Sequence, residues 1–131
     1  TGHSLGAALA TLAAARLSEA NVTVDTVFTY GQPRTGKSDF QRAYNDRLGD
    51  NTFRFVNHID LVTRVPLLTQ GYRHIGRRMY FNEQGAFTPD ASTWVVARDD
   101  LTYRLRHFGR IQAIGIDPHL QPAYSARVGS L

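Results

Sequence analysis

Residues Gly2-His3-Ser4-Leu5-Gly6 constrain this 131-residue chain more than any other stretch. Gly-x-Ser-x-Gly is the spacing of a sharp strand-to-helix turn with a serine at its apex. Such a turn imposes strained dihedrals on the serine and needs small flanking residues so that the backbone can bend. The hydroxyl is thereby held out towards a substrate carbonyl instead of being packed away. The stretch that follows, from Gly6 to Leu17, is rich in good helix formers. Leu5, Leu9, Leu12 and Arg16 fall at helical spacing, and the small residues Gly6, Ala7, Ala8 and Ala10 would let this helix pack closely on a sheet. A turn of this kind needs a buried strand leading into it, and only Thr1 precedes the motif. The expectation is that residues 1–131 are the C-terminal part of a longer protein, with the upstream half of the domain missing.

The 42% hydrophobic and 20% charged fractions are those of a folded domain and not of a disordered segment. No apolar run approaches the roughly 18–20 residues of a membrane span, so no transmembrane segment is expected. No signal segment is visible, and the sequence fixes no compartment. Cysteine is absent, which removes disulfides, thiolate metal sites and cysteine nucleophiles from the reading. The formal charge is +4. Arg73, Arg77 and Arg78 form one small group, and Arg104, Arg106 and Arg110 another. A basic surface could draw anionic lipid or nucleic acid. Neither group is a dense run, so a solvated face with locally paired acids such as Asp99 and Asp100 is the favoured reading, and no nucleic-acid partner is expected.

Val22–Tyr30 is β-branched and aromatic and reads as a strand, ending in the turn-rich Gly31-Gln32-Pro33-Arg34-Thr35-Gly36. Ser38 opens a helix with Phe40, Ala43, Tyr44 and Leu48 on one face, closed by Gly49-Asp50-Asn51. Thr52–Asn57 is a second strand. Strand, helix, strand is the alternation of a parallel sheet with crossover helices, an α/β fold. Met79–Phe81 and Thr93–Ala97 are short strand candidates that could pair as an antiparallel hairpin at a sheet edge. Asp99–Ile114 reads as a helix with Leu101, Leu105, Phe108 and Ile111 along one stripe. Leu120–Val128 reads as a terminal helix starting near Pro122, a residue tolerated in the first turn.

A serine hydroxyl is a weak nucleophile at neutral pH and needs a histidine to take its proton and an acid to orient that histidine. In the order Ser, acid, His, the residues Ser4, Asp60 and His119 satisfy the requirement. Asp60 lies in the loop after the strand Thr52–Asn57, beyond a strand's carboxyl end, where functional groups gather in open α/β sheets. Asp25, Asp46 and Asp99 are rival acids. His119 sits in a turn after Ile114-Gly115-Ile116, with His107 and His74 as rivals. His3 points away from the hydroxyl if the backbone there is extended, and His58 comes before the acid. No histidine spacing suggests a metal site, and no glycine loop suggests a nucleotide. Neither cofactor nor metal is expected.

Four stretches resemble the fungal-type (class 3) triacylglycerol lipases, a family that also contains feruloyl esterases. They are Thr1–Ala10 with the serine, Thr29–Gly36 with Phe40 and Tyr44 following, Arg54–Asp60 continuing to Arg64-Val65-Pro66, and Tyr72-Arg73-His74-Ile75-Gly76. The first three span residues 1–66. The end departs from the pattern: Asp117-Pro118-His119 carries an extra proline, although Tyr124 keeps its five-residue spacing from the histidine, and residues 82–115 show no pattern of the family. The resemblance implies the C-terminal part of an α/β-hydrolase fold and a serine hydrolase of carboxylic esters. Its substrate would be a lipid such as an acylglycerol, met by transient contact with a lipid interface. The resemblance further implies Ser4 as nucleophile, His119 as base, Asp60 as its orienting acid and the Leu5 N–H as half of an oxyanion hole. It makes the histidine of Tyr-x-His-x-Gly, His74, structural. A feruloyl-type or other soluble ester hydrolase, and a non-catalytic binding module on the same fold, are the alternatives.

Overall fold

The serine turn sets the layout. In the computed structural model, which describes residues 1–106 and 119–129, Ser4 takes φ 56° and ψ −126°, a left-handed conformation rare for a residue with a side chain. It joins a two-residue strand, β1 (Gly2–His3), to helix α1 (Leu5–Glu19). Gly2 is required by close approach, since a Cβ there would lie 2.2 Å from the carbonyl oxygen of Gly6.

The chain then runs through β2 (Val27–Tyr30), β3 (Gly36–Lys37), α2 (Ser38–Leu48) and β4 (Thr52–Asn57). Two single 3₁₀ turns (Val62–Arg64 and Leu68–Gln70) follow, then β5 (Tyr72–Arg73), β6 (Arg77–Phe81), β7 (Phe87–Pro89), α3 (Thr93–Arg106) and α4 (Gln121–Val128). The main sheet has the order β1-β2-β4-β6-β7. Its first three pairings are parallel and the last, β6 with β7, is antiparallel. β3 and β5 form a separate antiparallel pair. Because α1 and α2 are the crossovers, the carboxyl ends of β1, β2 and β4 lie side by side, and the loops after them meet.

The two faces of the sheet bury different chemistry. On one, Phe55, Met79, Phe81 and Tyr124 form a core with Tyr30, Phe53, Phe87 and Val128 packed against it, under α4. On the other, Ala14, Val27, Tyr44, Leu48 and Ile75 join α1 and α2 to the strands. A third cluster, Val56, Tyr80 and Ala91 with Val96, seats α3. Arg54 and Val56 alternate with Phe53 and Phe55 along β4, so the period of two sends an arginine to the helix-covered face.

α2 and β4 form over the residues that their periodicity indicates, and α4 begins with Pro122 in its first turn. The helix after Ser4 packs on the sheet through small residues, as expected: Ala7 is buried together with Thr11 and Ala14, while Leu5, Leu9 and Leu12 are exposed. Small side chains fit there because the tight turn brings the helix axis close to the strands. Four expectations change. The strand read over 22–30 is ordered as a strand only from Val27, where β4 begins opposite it at Thr52; the residues before have no neighbouring strand to bond. Thr93–Ala97 is helix, not strand. Ser92 accepts the Val95 N–H on its hydroxyl at 3.3 Å and the Val96 N–H on its carbonyl, opening α3, and Val96 gains burial against Val56 and Tyr80. The partner of β6 in the edge hairpin is instead Phe87–Pro89. The helix read over 99–114 is the later part of α3 as far as Arg106; Phe108 and Ile111 lie outside the described residues.

Of the arginine groups, Arg77 pairs with Asp90, Arg104 with Asp100 and Arg106 with Glu83, as a solvated, locally paired face requires. Arg78 departs from that reading: its side chain turns inward and donates to the Ala91 carbonyl at 3.3 Å. Arg110 lies outside the described residues.

Candidate active site

Three loops at the strand ends bring Ser4, Asp60 and His119 together. Ser4 is anchored by its N–H, which donates to the Tyr30 carbonyl at 2.9 Å. Its Oγ lies 2.8 Å from His119 Nε2, and His119 Nδ1 lies 2.9 Å from Asp60 Oδ2. A carboxylate only accepts, so Nδ1 carries the proton and Nε2 is left to accept from the serine hydroxyl. Leu5 is the first residue of α1, and its N–H belongs to the four that a helix leaves without an internal partner.

Asp60 is fully buried and saturated with donors. Oδ2 accepts from His119 Nδ1 and from the Tyr124 hydroxyl at 2.5 Å, and Oδ1 accepts from the Val62 N–H at 2.9 Å. Tyr124 in turn accepts the Asn57 N–H at 3.1 Å. Burial, then the Asp60 charge, push the Tyr124 phenol well above its ordinary range, so it remains a donor at any working pH. His3 lies against the histidine that contacts Ser4. Its Nε2 donates to the His119 carbonyl at 2.6 Å, and the two rings lie 4.7 Å apart.

The rival residues are elsewhere. Asp25 and Asp46 are exposed, and Asp99 pairs with Arg98. His58 lies against Tyr80 and Tyr103. His74 is half-buried, with its Nδ1 enclosed, beside Arg54, Arg34 and Arg78. His107 lies outside the described residues. Among the described residues no group of three or more His, Cys, Asp or Glu is placed to hold a metal ion, and no helix is long and apolar enough to cross a membrane.

Reading the sequence missed three contributors. Tyr124 was visible only as a spacing from His119, and nothing linear indicates that its hydroxyl reaches Asp60. Gly31 follows β2 at φ 57°, and a Cβ there would meet His119 Nδ1 at 2.8 Å and Asp60 Oδ2 at 3.0 Å. Arg34 ties the loop after β2 to the acid-bearing loop. Its guanidinium donates to the carbonyls of Arg64 and Pro66, and its N–H to that of Val65 at 2.8 Å.

A parallel sheet with crossover helices and a left-handed serine between β1 and α1, facing a histidine and a buried aspartate, defines the α/β-hydrolase class. The sequence pattern of the family described as Lipase (class 3) matches residues 1–70, and the chain belongs to that family. It is 34% identical over 102 residues to the secreted mono- and diacylglycerol lipase A of Penicillium cyclopium, covering 78% of this chain and 33% of that protein. The solved mono- and diacylglycerol lipase from Aspergillus oryzae superposes with a TM-score of 0.58 at 34% identity, over 67% of this chain and 34% of the other. A triacylglycerol lipase described as having a serine protease triad as its catalytic centre superposes with a TM-score of 0.66 at 26% identity, over 91% of this chain and 44% of the other. The chain spans about a third of the length of the curated relatives that it matches first.

Two measurements follow. In Gly31→Ala the positive φ alone costs about 1–3 kcal/mol. The added methyl also collides with the imidazole, so the low-field Nδ1 proton resonance of His119 should vanish while the far-UV spectrum is kept. A retained resonance would mean that the loop has slack. His74 is the pH probe of the interior. Burial first, then Arg54, Arg34 and Arg78, depress its pKa to about 2, against the Thr63 backbone bond, which raises it. The folded chain thus keeps His74 neutral while the unfolded chain takes a proton below about pH 6.5. Stability from this group is present above that pH and lost as pH falls, by up to about 1.4 kcal/mol per pH unit. Urea midpoints at pH 7 and 5 should converge in His74→Gln relative to the parent chain; an unchanged pH dependence would contradict the burial.

Proposed function

We propose that the protein containing this chain is a serine hydrolase of carboxylic esters that acts on acylglycerols, a lipase. Ser4 attacks the ester carbonyl as His119 Nε2 takes the hydroxyl proton, forming a tetrahedral oxyanion. The Leu5 N–H donates one hydrogen bond to that oxygen. Collapse expels the alcohol, which receives the proton from His119 and leaves an acyl-serine. Water repeats the sequence and releases the acid. Asp60 holds the imidazole with its Nδ1 proton inward and stabilises the imidazolium. The observation that carries this reading is the continuous chain from Ser4 Oγ through His119 to Asp60, at 2.8 and 2.9 Å. The acylglycerol substrate is supported by family membership and by the relatives named as mono- and diacylglycerol lipases. Exposed Leu61, Val65, Leu67 and Leu68, on the loop after Asp60, support contact with acyl chains at a lipid surface.

We further propose that residues 1–131 are the C-terminal part of the catalytic domain. β1 is a two-residue strand at the sheet edge, and the neighbouring α1 leaves Leu5, Leu9 and Leu12 exposed. A second oxyanion donor would come from upstream, as the α/β-hydrolase arrangement requires.

In the full-length protein a fluorophosphonate should label Ser4, found by mass spectrometry on the peptide that contains it. His119→Ala and Asp60→Ala should each lower kcat at least about 10³-fold. The double variant should be little worse than His119→Ala, because the residues act as a unit. Labelling elsewhere with Ser4→Ala still active would overturn the assignment.

The second test compares purified residues 1–131 with a polypeptide extended upstream, on a nitrophenyl ester and on emulsified diacylglycerol. Loss of one oxyanion donor costs about 2.7–4 kcal/mol, so the shorter chain should be at least about 100-fold slower. Equal specific activity would refute the partial-domain reading. Turnover of the soluble ester with none of the acylglycerol would refute the lipase reading.

A further inference from the structure

Helix α1 starts at the serine turn and ends at a turn of a different kind. Ala20 caps it, and the next residue, Asn21, takes φ 58°. The Asn21 N–H donates to the Ser18 carbonyl at 3.2 Å, and the Val22 N–H to the Leu17 carbonyl at 2.9 Å. These two bonds make a Schellman cap, which satisfies the last carbonyls of the helix and calls for a left-handed residue at the place of Asn21. Glycine meets that demand with the least strain, and asparagine is the usual second choice. The cap therefore accounts for the backbone of Asn21 but uses nothing of its carboxamide. Among the described residues that carboxamide makes no hydrogen bond, and it is exposed to solvent.

The residues that follow give the carboxamide a chemical context. Asn21-Val22-Thr23 is Asn-x-Thr with no proline between, the acceptor pattern of N-linked glycosylation. It is the only such triplet in the 131 residues, since Asn45, Asn51, Asn57 and Asn82 have no serine or threonine two places on. The folded chain leaves room for a sugar there. Asn21, Val22 and Thr23 are all exposed, and none of the described strands pairs with residues 20–26. Thr23 takes no part in the cap, so the helix end does not explain its hydroxyl. α1 is 15 residues long, which sets Asn21 about 22 Å along the helix axis from the serine turn. A bulky glycan at that end is held away from Ser4, His119 and Asp60.

We propose that Asn21 is an N-glycosylation site, occupied as the polypeptide containing this chain enters a secretory compartment. In the transfer, Asn21 Nδ2 forms a bond to the anomeric carbon of an oligosaccharide carried on a polyprenyl pyrophosphate. The bond from that carbon to the pyrophosphate oxygen breaks, the lipid pyrophosphate leaves with the electron pair, and one amide proton passes to solvent. The Thr23 hydroxyl is the feature that the transferase reads two residues on. The modification takes no part in the ester chemistry, and it stands whether or not the chain is a lipase.

The natural full-length protein is digested, treated with peptide N-glycosidase in heavy-oxygen water and read by mass spectrometry. The expected result is conversion of Asn21 to an aspartate that carries the heavy oxygen, absent when the glycosidase is omitted. Asn21 found as an unmodified amide overturns the proposal. The same peptide is then followed in variants secreted from a eukaryotic host. Thr23→Ala should abolish the conversion, and Thr23→Ser should keep it. Conversion that survives Thr23→Ala, or is lost in Thr23→Ser as fully as in Thr23→Ala, would also overturn it. Transfer acts on the unfolded triplet during translocation, so these outcomes do not hinge on how well a variant folds.

Discussion

The buried carboxylate of Asp60 is the point on which the structure of the site depends. A fully desolvated carboxylate is tolerable only when its lone pairs are used, and here the three donors come from separate places. Val62 belongs to its own loop, His119 to the segment before α4, and Tyr124 to α4 itself. Removing any one would leave a charged acceptor short of a partner in a place water does not reach. The same three bonds that satisfy the charge fix the position of the His119 imidazole and dock the last helix on the sheet. The Asn57 N–H, donated to the Tyr124 hydroxyl at the end of β4, continues this chain into the central strand.

Around that point the fold is a device for bringing strand ends together. Parallel pairing of β1, β2 and β4 places Ser4, Gly31 and Asp60 in a row at one edge. Each of these positions carries a conformational demand that the sequence meets: a left-handed serine, a left-handed glycine with no room for a methyl group, and a carboxylate in a turn. His3, one residue before the nucleophile, holds the backbone of His119. Ser4 and His119 are therefore located by the same strand, and the 2.8 Å contact between them does not rest on side-chain rotamers alone.

Much of this is legible in one dimension, for identifiable reasons. α2 and β4 have a clear period and clear ends. Ser4 is marked by flanking glycines, and Asp60 and His119 by chain order and by likeness to the family. What failed depends on contacts that no local pattern encodes. Val95 and Val96 have strand-like side chains, yet Ser92 opens a helix and the buried Val56–Tyr80–Ala91 cluster receives Val96. Arg54 reads as an ordinary residue of an alternating strand. Only the sheet reveals that Arg34 and Arg78 share its cavity.

The wide separation of the reacting groups along the chain has a consequence for biosynthesis. Ser4 meets His119 only across 115 positions, and the aspartate that holds this imidazole is itself bound by Tyr124, later still. During vectorial translation Ser4 leaves the ribosome well before Tyr124, and its hydroxyl has no imidazole beside it until residues as far as 124 have cleared the ribosome. The contact between Ser4, His119 and Asp60 closes only when α4 docks, so the timing of its assembly is written into the order of the residues.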